Sequence, residues 1–148
     1  MAEPGKKALR SWRRLEKAHD LVSGRIEQAL KAAGLPPLLW LRALEELERH
    51  GDRGPRPYEL QTALDLEQPA VSRVLARMAA AGLIARRECA DDRRGWTIAT
   101  TPLGHEARVR AAEVYATALF AHFLAHLGEK QARSLDEILG DLLDSLRS

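Results

Sequence analysis

The sequence predicts a mainly α fold: six helices and one small β element, in a single domain spanning residues 1–148. Three observations carry this. Apolar residues recur three and four apart over most of the chain, the period of a helix with one buried face. The period shifts toward that of a strand only once, after Gly82. Between about residues 57 and 82, two short helical stretches follow each other with a tight turn between them. A chain of 148 residues is long enough to bury one core, and 45% hydrophobic with 30% charged residues is the balance of an ordinary globular domain.

In chain order, residues 1–6 are expected to be disordered. The first helix is expected over about 7–33, with Leu9, Trp12, Leu15, His19, Val22, Ile26 and Leu30 on one face and charged residues such as Arg10, Arg13 and Lys17 on the others. Gly34, Pro36 and Pro37 end it. The second helix, about 37–50, buries Leu39, Trp40, Ala43, Leu44 and Leu47, and 51–57 form a loop rich in Gly and Pro.

The third helix spans 57–64, with Leu60 and Ala63 inward and Leu66 in the turn that follows. Helices this short are unstable alone in water and persist only by packing on a neighbour. Glu67, Gln68 and Pro69 open the fourth, where a proline in the first turn loses no helical hydrogen bond. Val71, Val74, Leu75 and Met78 form its buried stripe. Its opposite face carries Pro69, Ser72, Arg73, Ala76 and Arg77, two arginines among small residues. Gly82 occupies the place where helices commonly end in a left-handed residue.

Residues 83–89 and 96–100 have strand composition, and the polar segment 90–95 between them has the residues of a hairpin tip. Helix, turn, helix and hairpin in this order describe a winged helix-turn-helix, a unit whose second helix enters the DNA major groove. Net charge is only +2 and says little about a polyanionic partner. Its distribution says more: residues 68–96 hold six arginines (Arg73, Arg77, Arg86, Arg87, Arg93 and Arg94) against three acids. Arginine is the side chain suited to phosphates and base edges, and paired arginines at a hairpin tip suit a minor groove. One of Arg86 and Arg87 is expected to face DNA or an acid of the protein, the other water.

ELQTALDL, QPAVSRVLARMAAAGLIARR, DDRRG and TTPLG, in that order, resemble the MarR family of winged helix-turn-helix transcriptional regulators. The resemblance is good over about 36–106; the flanking helices match in length and pattern more than in residues. Its most specific parts are Gly82-Leu83-Ile84 with Arg86, Asp92-x-Arg94-Gly95 and Thr101-x-x-Gly104. It implies groove contacts from Gln68, Pro69, Ser72, Arg73 and Arg77, and a wing in which Asp92 and Arg94 brace each other while Arg94 reaches the minor groove. Where the family commonly has a small polar residue near the start of that helix, this chain has Glu67-Gln68.

Thr101-Pro102 starts a fifth helix that is expected to run to about His126, with Val109, Ala112, Tyr115, Leu119, Phe120 and Phe123 as its stripe. After Gly128 a last helix, to about Leu146, carries Leu135, Ile138, Leu139, Leu142 and Leu143 on one side. The terminal helices, 7–35 and 102–148, have more apolar face than the winged region 36–101 needs to close its core. Large exposed apolar faces mark interfaces, so a two-fold homodimer through these helices is expected, and the resemblance implies the same.

The expected function is that of a sequence-specific regulator binding double-stranded DNA, a repressor on a palindromic operator released by a small-molecule effector. The alternative is a winged helix used only for protein–protein contact, against which the arginine faces speak. No nucleophile–base pair or glycine-rich phosphate loop points to an enzyme, and no cofactor is implied. Trp12, His19 and Trp40 are either core aromatics or the lining of an effector pocket; the resemblance implies that such pockets are common and take aromatic or phenolic ligands. Cys89 reads as a small strand hydrophobe rather than a sensor. His122 and His126, at i,i+4, lack a third ligand, so no metal is assigned. With no apolar run of membrane-spanning length and no signal-peptide core at the start, a cytoplasmic location is expected.

Overall fold

The computed structural model describes residues 5–88 and 96–148. Its helices are α1 (Lys6–Ala32), α2 (Leu38–Arg49), α3 (Pro57–Leu64), α4 (Gln68–Ala80), α5 (Pro102–His122) and α6 (Glu129–Arg147), with strands β1 (Ile84–Glu88) and β2 (Trp96–Thr100). Two 3-10 turns, Gly51–Arg53 and Leu124–His126, complete the described elements. The chain packs as two compact units: residues 27–115, and residues up to 26 together with 116–148. None of the described helices is long and apolar enough to cross a membrane.

The unit of residues 27–115 is closed by Ala43, Leu44 and Leu47 of α2, Leu60 and Leu64 of α3, Val71 and Met78 of α4, then Leu83 and Ile84. Trp40, Leu66, Val74, Leu75 and Ile98 pack around that cluster, half-buried. In α3 the inward pair is Leu60 and Leu64, one turn apart, rather than Leu60 and Ala63: the longer side chain at i+4 reaches the core and displaces the alanine to its edge. Asp65 ends α3 in the left-handed region at φ 52°, with its N–H donated to the Thr62 carbonyl at 3.3 Å. That reversal drops Leu66 onto the core and brings Glu67, in extended backbone, to the start of α4.

The far end of α4 is tied to the wing and to α5. Gly82 at φ 79° turns the chain so that Leu83 N–H reaches the Met78 carbonyl at 3.1 Å. Leu83 is therefore used in closing the helix, and the strand begins one residue later than its composition suggests. Its carbonyl accepts the Thr101 N–H at 3.0 Å. Thr101 Oγ1 donates to the Gly82 carbonyl at 2.6 Å and accepts the Gly104 N–H at 3.0 Å, capping α5. A Cβ on Gly104 would overlap the Leu83 carbonyl, so only glycine fits there. Between these ties, β1 and β2 pair antiparallel with Ile84 opposite Thr100, Arg86 opposite Ile98 and Glu88 opposite Trp96.

In the other unit, Ile26 and Ala118 are buried while Leu9, Trp12, Leu21, Phe120, Ile138 and Leu146 are exposed. The buried residues of α5 as a whole are small, Gly104, Ala111 and Ala118, and the larger Val109 and Phe120 expected to pack are exposed. Small side chains let backbones approach closely, and the bulky ones then lie on other sides of the helix. α5 ends at His122: Phe123, at φ −132°, leaves the helical region, and Leu124–His126 form a 3-10 turn. His122 and His126 therefore do not sit one turn apart on one helix. The His122 Nδ1 lies 3.5 Å from Arg25 Nη1, and α6 is capped by Gln131, whose Oε1 accepts the Gly128 N–H at 2.9 Å.

Candidate nucleic-acid interface

The exposed face of α4 follows from its buried one. Val71 and Met78 anchor the helix in the core, and at 100° per residue this turns Gln68, Pro69, Ser72, Arg73, Ala76 and Arg77 outward. Gln68, Pro69, Ser72, Arg73 and Arg77 are all exposed. Arg73 and Arg77 lie one turn apart, and Ala76 between them keeps the surface low enough for a flat polyanion to approach. The first turn of α4 holds no acid, with Glu67 at the N-cap just before it, and the Ala70 and Val71 N–H groups close onto the Glu67 carbonyl at 3.0 Å.

Gln68 is held in place. Gln61 Nε2 on α3 donates to Gln68 Oε1 at 3.1 Å, and Gln68 Nε2 donates to Ser72 Oγ at 3.3 Å. This chain of amides fixes which edge of Gln68 faces outward. Gln61 does not stand out in the sequence, since a glutamine on a short helix has no spacing signature. Beside it a cleft of about 420 Å³ opens between the start of α3, α4 and β2, lined in part by Arg53, Arg56, Gln68, Ser72 and Thr97. Arg53 and Arg56 add two cations that are missed when the 51–57 segment is read only as a loop.

The start of α3 is set by Glu59. Its Oε1 accepts the Arg56 N–H at 3.4 Å, capping the helix, and both its oxygens accept from Arg53 at 3.2 Å. The Arg53 hydrogen bond, opposed by burial and aided by the Arg56 N–H and the charge of Arg53, holds the Glu59 carboxyl below the ordinary carboxylate range. The same bond holds the Arg53 guanidinium above its ordinary value.

On β1, Arg86 and Arg87 are both exposed. Strand alternation puts Arg86 on the face of buried Ile84 and Arg87 on the opposite one. Asp92, Arg93 and Arg94, the expected wing contacts, lie outside the described residues, as does Cys89. Of the aromatic candidates, Trp12 is 59% exposed and His19 is exposed in one unit, while Trp40 is half-buried against the core of the other. No described unit brings the three together.

Residues 33–95 match the model of the MarR family. No curated protein matches the chain in sequence. Among solved structures, the chain is similar to AbsC, a MarR family transcriptional regulator from Streptomyces coelicolor, at 24% identity and a TM-score of 0.86, covering 99% of each chain. It is similar to Sco3205, a MarR family transcriptional regulator from the same organism solved in complex with DNA, at 23% identity and a TM-score of 0.87, over 100% of this chain and 92% of that one. It is also similar to the Mycobacterium tuberculosis MarR family protein Rv2887 in complex with salicylic acid, at 23% identity and a TM-score of 0.66, over 95% and 97%.

Proposed function

We propose that this chain is a winged-helix transcriptional regulator of the MarR family and acts as a homodimeric repressor. It reads a near-palindromic operator in double-stranded DNA with α4 and the wing. The observation that carries the reading is the exposed Gln68–Ser72–Arg73–Arg77 face standing on a closed helix-turn-helix core. On this reading Gln68, Pro69, Ser72, Arg73 and Arg77 enter the major groove, Arg86 meets the backbone, and Arg93 and Arg94, braced by Asp92, reach the minor groove. Residues 36–101 bind DNA, and 7–35 with 102–148 form the dimer, covering the apolar residues that a single chain leaves exposed. Such a protein works in the cytoplasm and catalyses no reaction.

A small aromatic or phenolic effector releases the DNA. The relative that holds salicylic acid supports this. Trp12, His19 and Trp40 are one proposed lining; the cleft beside Gln68, with Arg53 and Arg56 to meet a carboxylate, is the other. Release requires the effector to bind the DNA-incompetent shape more tightly, since equal affinity for both shapes shifts nothing.

Titrating the dimer into labelled DNA from the region adjoining its own gene, at two salt concentrations, tests the proposal. Binding that weakens steeply with salt is expected, because each neutralised phosphate releases counterions. Absence of binding even at low salt overturns it and leaves a protein–protein module.

A further inference from the structure

We propose that Glu46, His50 and Glu59 form a binding site for a divalent first-row transition ion of the zinc class. The site joins the last turn of α2 to the first turn of α3. It stands apart from the arginine face of α4, and nothing in it depends on the DNA reading.

His50 Nε2 lies 2.8 Å from Glu46 Oε1 and 2.8 Å from Glu59 Oε2. The three donor atoms all fall within 4.8 Å of one another, the one such grouping of metal-ligating side chains among the described residues. Glu46 and His50 share a face of α2 at i,i+4, the spacing that lets two helical ligands converge, and Glu59 comes from the neighbouring helix. All three are largely withdrawn from solvent, with side chains 10%, 17% and 17% exposed.

The protons identify what is missing from a purely ionic account. His50 Nδ1 lies 2.7 Å from Arg53 Nη2, and a guanidinium only donates, so Nδ1 is the acceptor and the single ring proton sits on Nε2. That one proton then faces two carboxylate oxygens at equal distance, although an N–H aims well at only one. A cation in its place meets an imidazole nitrogen and two carboxylate oxygens, a donor set that suits zinc and its neighbours better than magnesium. Tetrahedral zinc ligands at about 2.1 Å stand roughly 3.4 Å apart, so the two 2.8 Å pairs open by about half an ångström, with water in the fourth position.

Arg53 is the competitor. A neutral imidazole that binds a metal through Nε2 carries its proton on Nδ1, where it meets the Arg53 N–H head-on. Arg53 must therefore leave His50 and release Glu59. At 48% exposure it has room to do so, as does Arg49, 72% exposed and 3.7 Å from Glu46. A merely structural ion-pair network needs Arg53; a metal site is opposed by it.

The test uses the full chain, freed of metal with a chelator and titrated with zinc alone against a chromophoric zinc indicator. Thermal unfolding is followed with zinc and, separately, with magnesium. The expected result is one zinc per chain at micromolar affinity or tighter, a rise in unfolding temperature with zinc and none with magnesium. Arg53→Ala is expected to bind zinc about tenfold more tightly, the scale on which groups around the ligands act. His50→Ala and the near-isosteric Glu59→Gln should each weaken it tenfold or more, whereas His122→Ala with His126→Ala should leave it unchanged. Glu59→Gln, checked for native circular dichroism, decides the matter if His50→Ala does not fold. No zinc binding by the wild type at micromolar concentrations, retained binding in both ligand variants, or weaker binding in Arg53→Ala overturns the proposal.

Discussion

Arg73 and Arg77 point away from the core because Val71 and Met78 point into it. Phase along one helix decides both facts, so the outward face of α4 was legible from spacing, while its reading as a DNA contact came from the family resemblance. Arg77→Ala is expected to leave the fold intact and to weaken DNA binding about tenfold or more, from a contact worth about 1–3 kcal/mol. If that contact is to a base, specificity relaxes at one position; if to a phosphate, the salt slope falls by about one. Fluorescence anisotropy with operator and scrambled duplexes separates the two. Gly104 was legible as part of a motif, but its physical reason was not, because the Leu83 carbonyl that excludes a side chain there comes from 21 positions earlier in the chain. Gly104→Ala is expected to lower stability by about 1–3 kcal/mol, the usual cost of overpacking. A denaturation midpoint equal to wild type would show that α5 is less firmly held against the Leu83 backbone. Gln61 and Asp65 were illegible for a different reason: an amide that orients another amide, and a left-handed aspartate, leave no periodic trace.

At the scale of elements, α3 was found with both its ends, because Pro57 and the apolar spacing fix a helix too short to run elsewhere. Its anchoring was not found. Glu59 caps the helix and pairs with Arg53 from the preceding 3-10 turn. The Glu59 carboxyl is depressed in the folded chain, so the stability it contributes is present above the ordinary carboxylate range. That contribution is lost as pH falls through the folded value. Urea unfolding as a function of pH should therefore show a steeper acid loss in the wild type than in Glu59→Gln, and parallel curves would remove Glu59 from the account. The end of α5 was placed one turn too far along, because the apolar residues continue past His122 while the backbone at Phe123 turns aside.

For the whole molecule, the terminal stripes were visible in the sequence, but what covers them was not. Periodicity says that a face is apolar and does not say whether it meets its own chain or another. In one chain Phe120, Ile138 and Leu146 are 62%, 64% and 72% exposed. Light scattering is expected to give twice the 16.5 kDa chain mass, and Ile138→Asp with Leu146→Asp should drive the protein toward monomer and weaken operator binding together. A monomeric wild type would leave those residues unexplained. The winged region was more fully legible than the ends, because its helices close on one another within the described core.

Footprinting of the DNA flanking its own gene, with the wild type and with Arg73→Ala plus Arg77→Ala, tests the central claim most directly. The account predicts one protected near-palindrome whose half-site centres lie about 10 base pairs, or roughly 34 Å, apart. It also predicts that the double variant loses this protection while keeping its fold. Protection that persists unchanged in the variant, or no protected site at all, contradicts it.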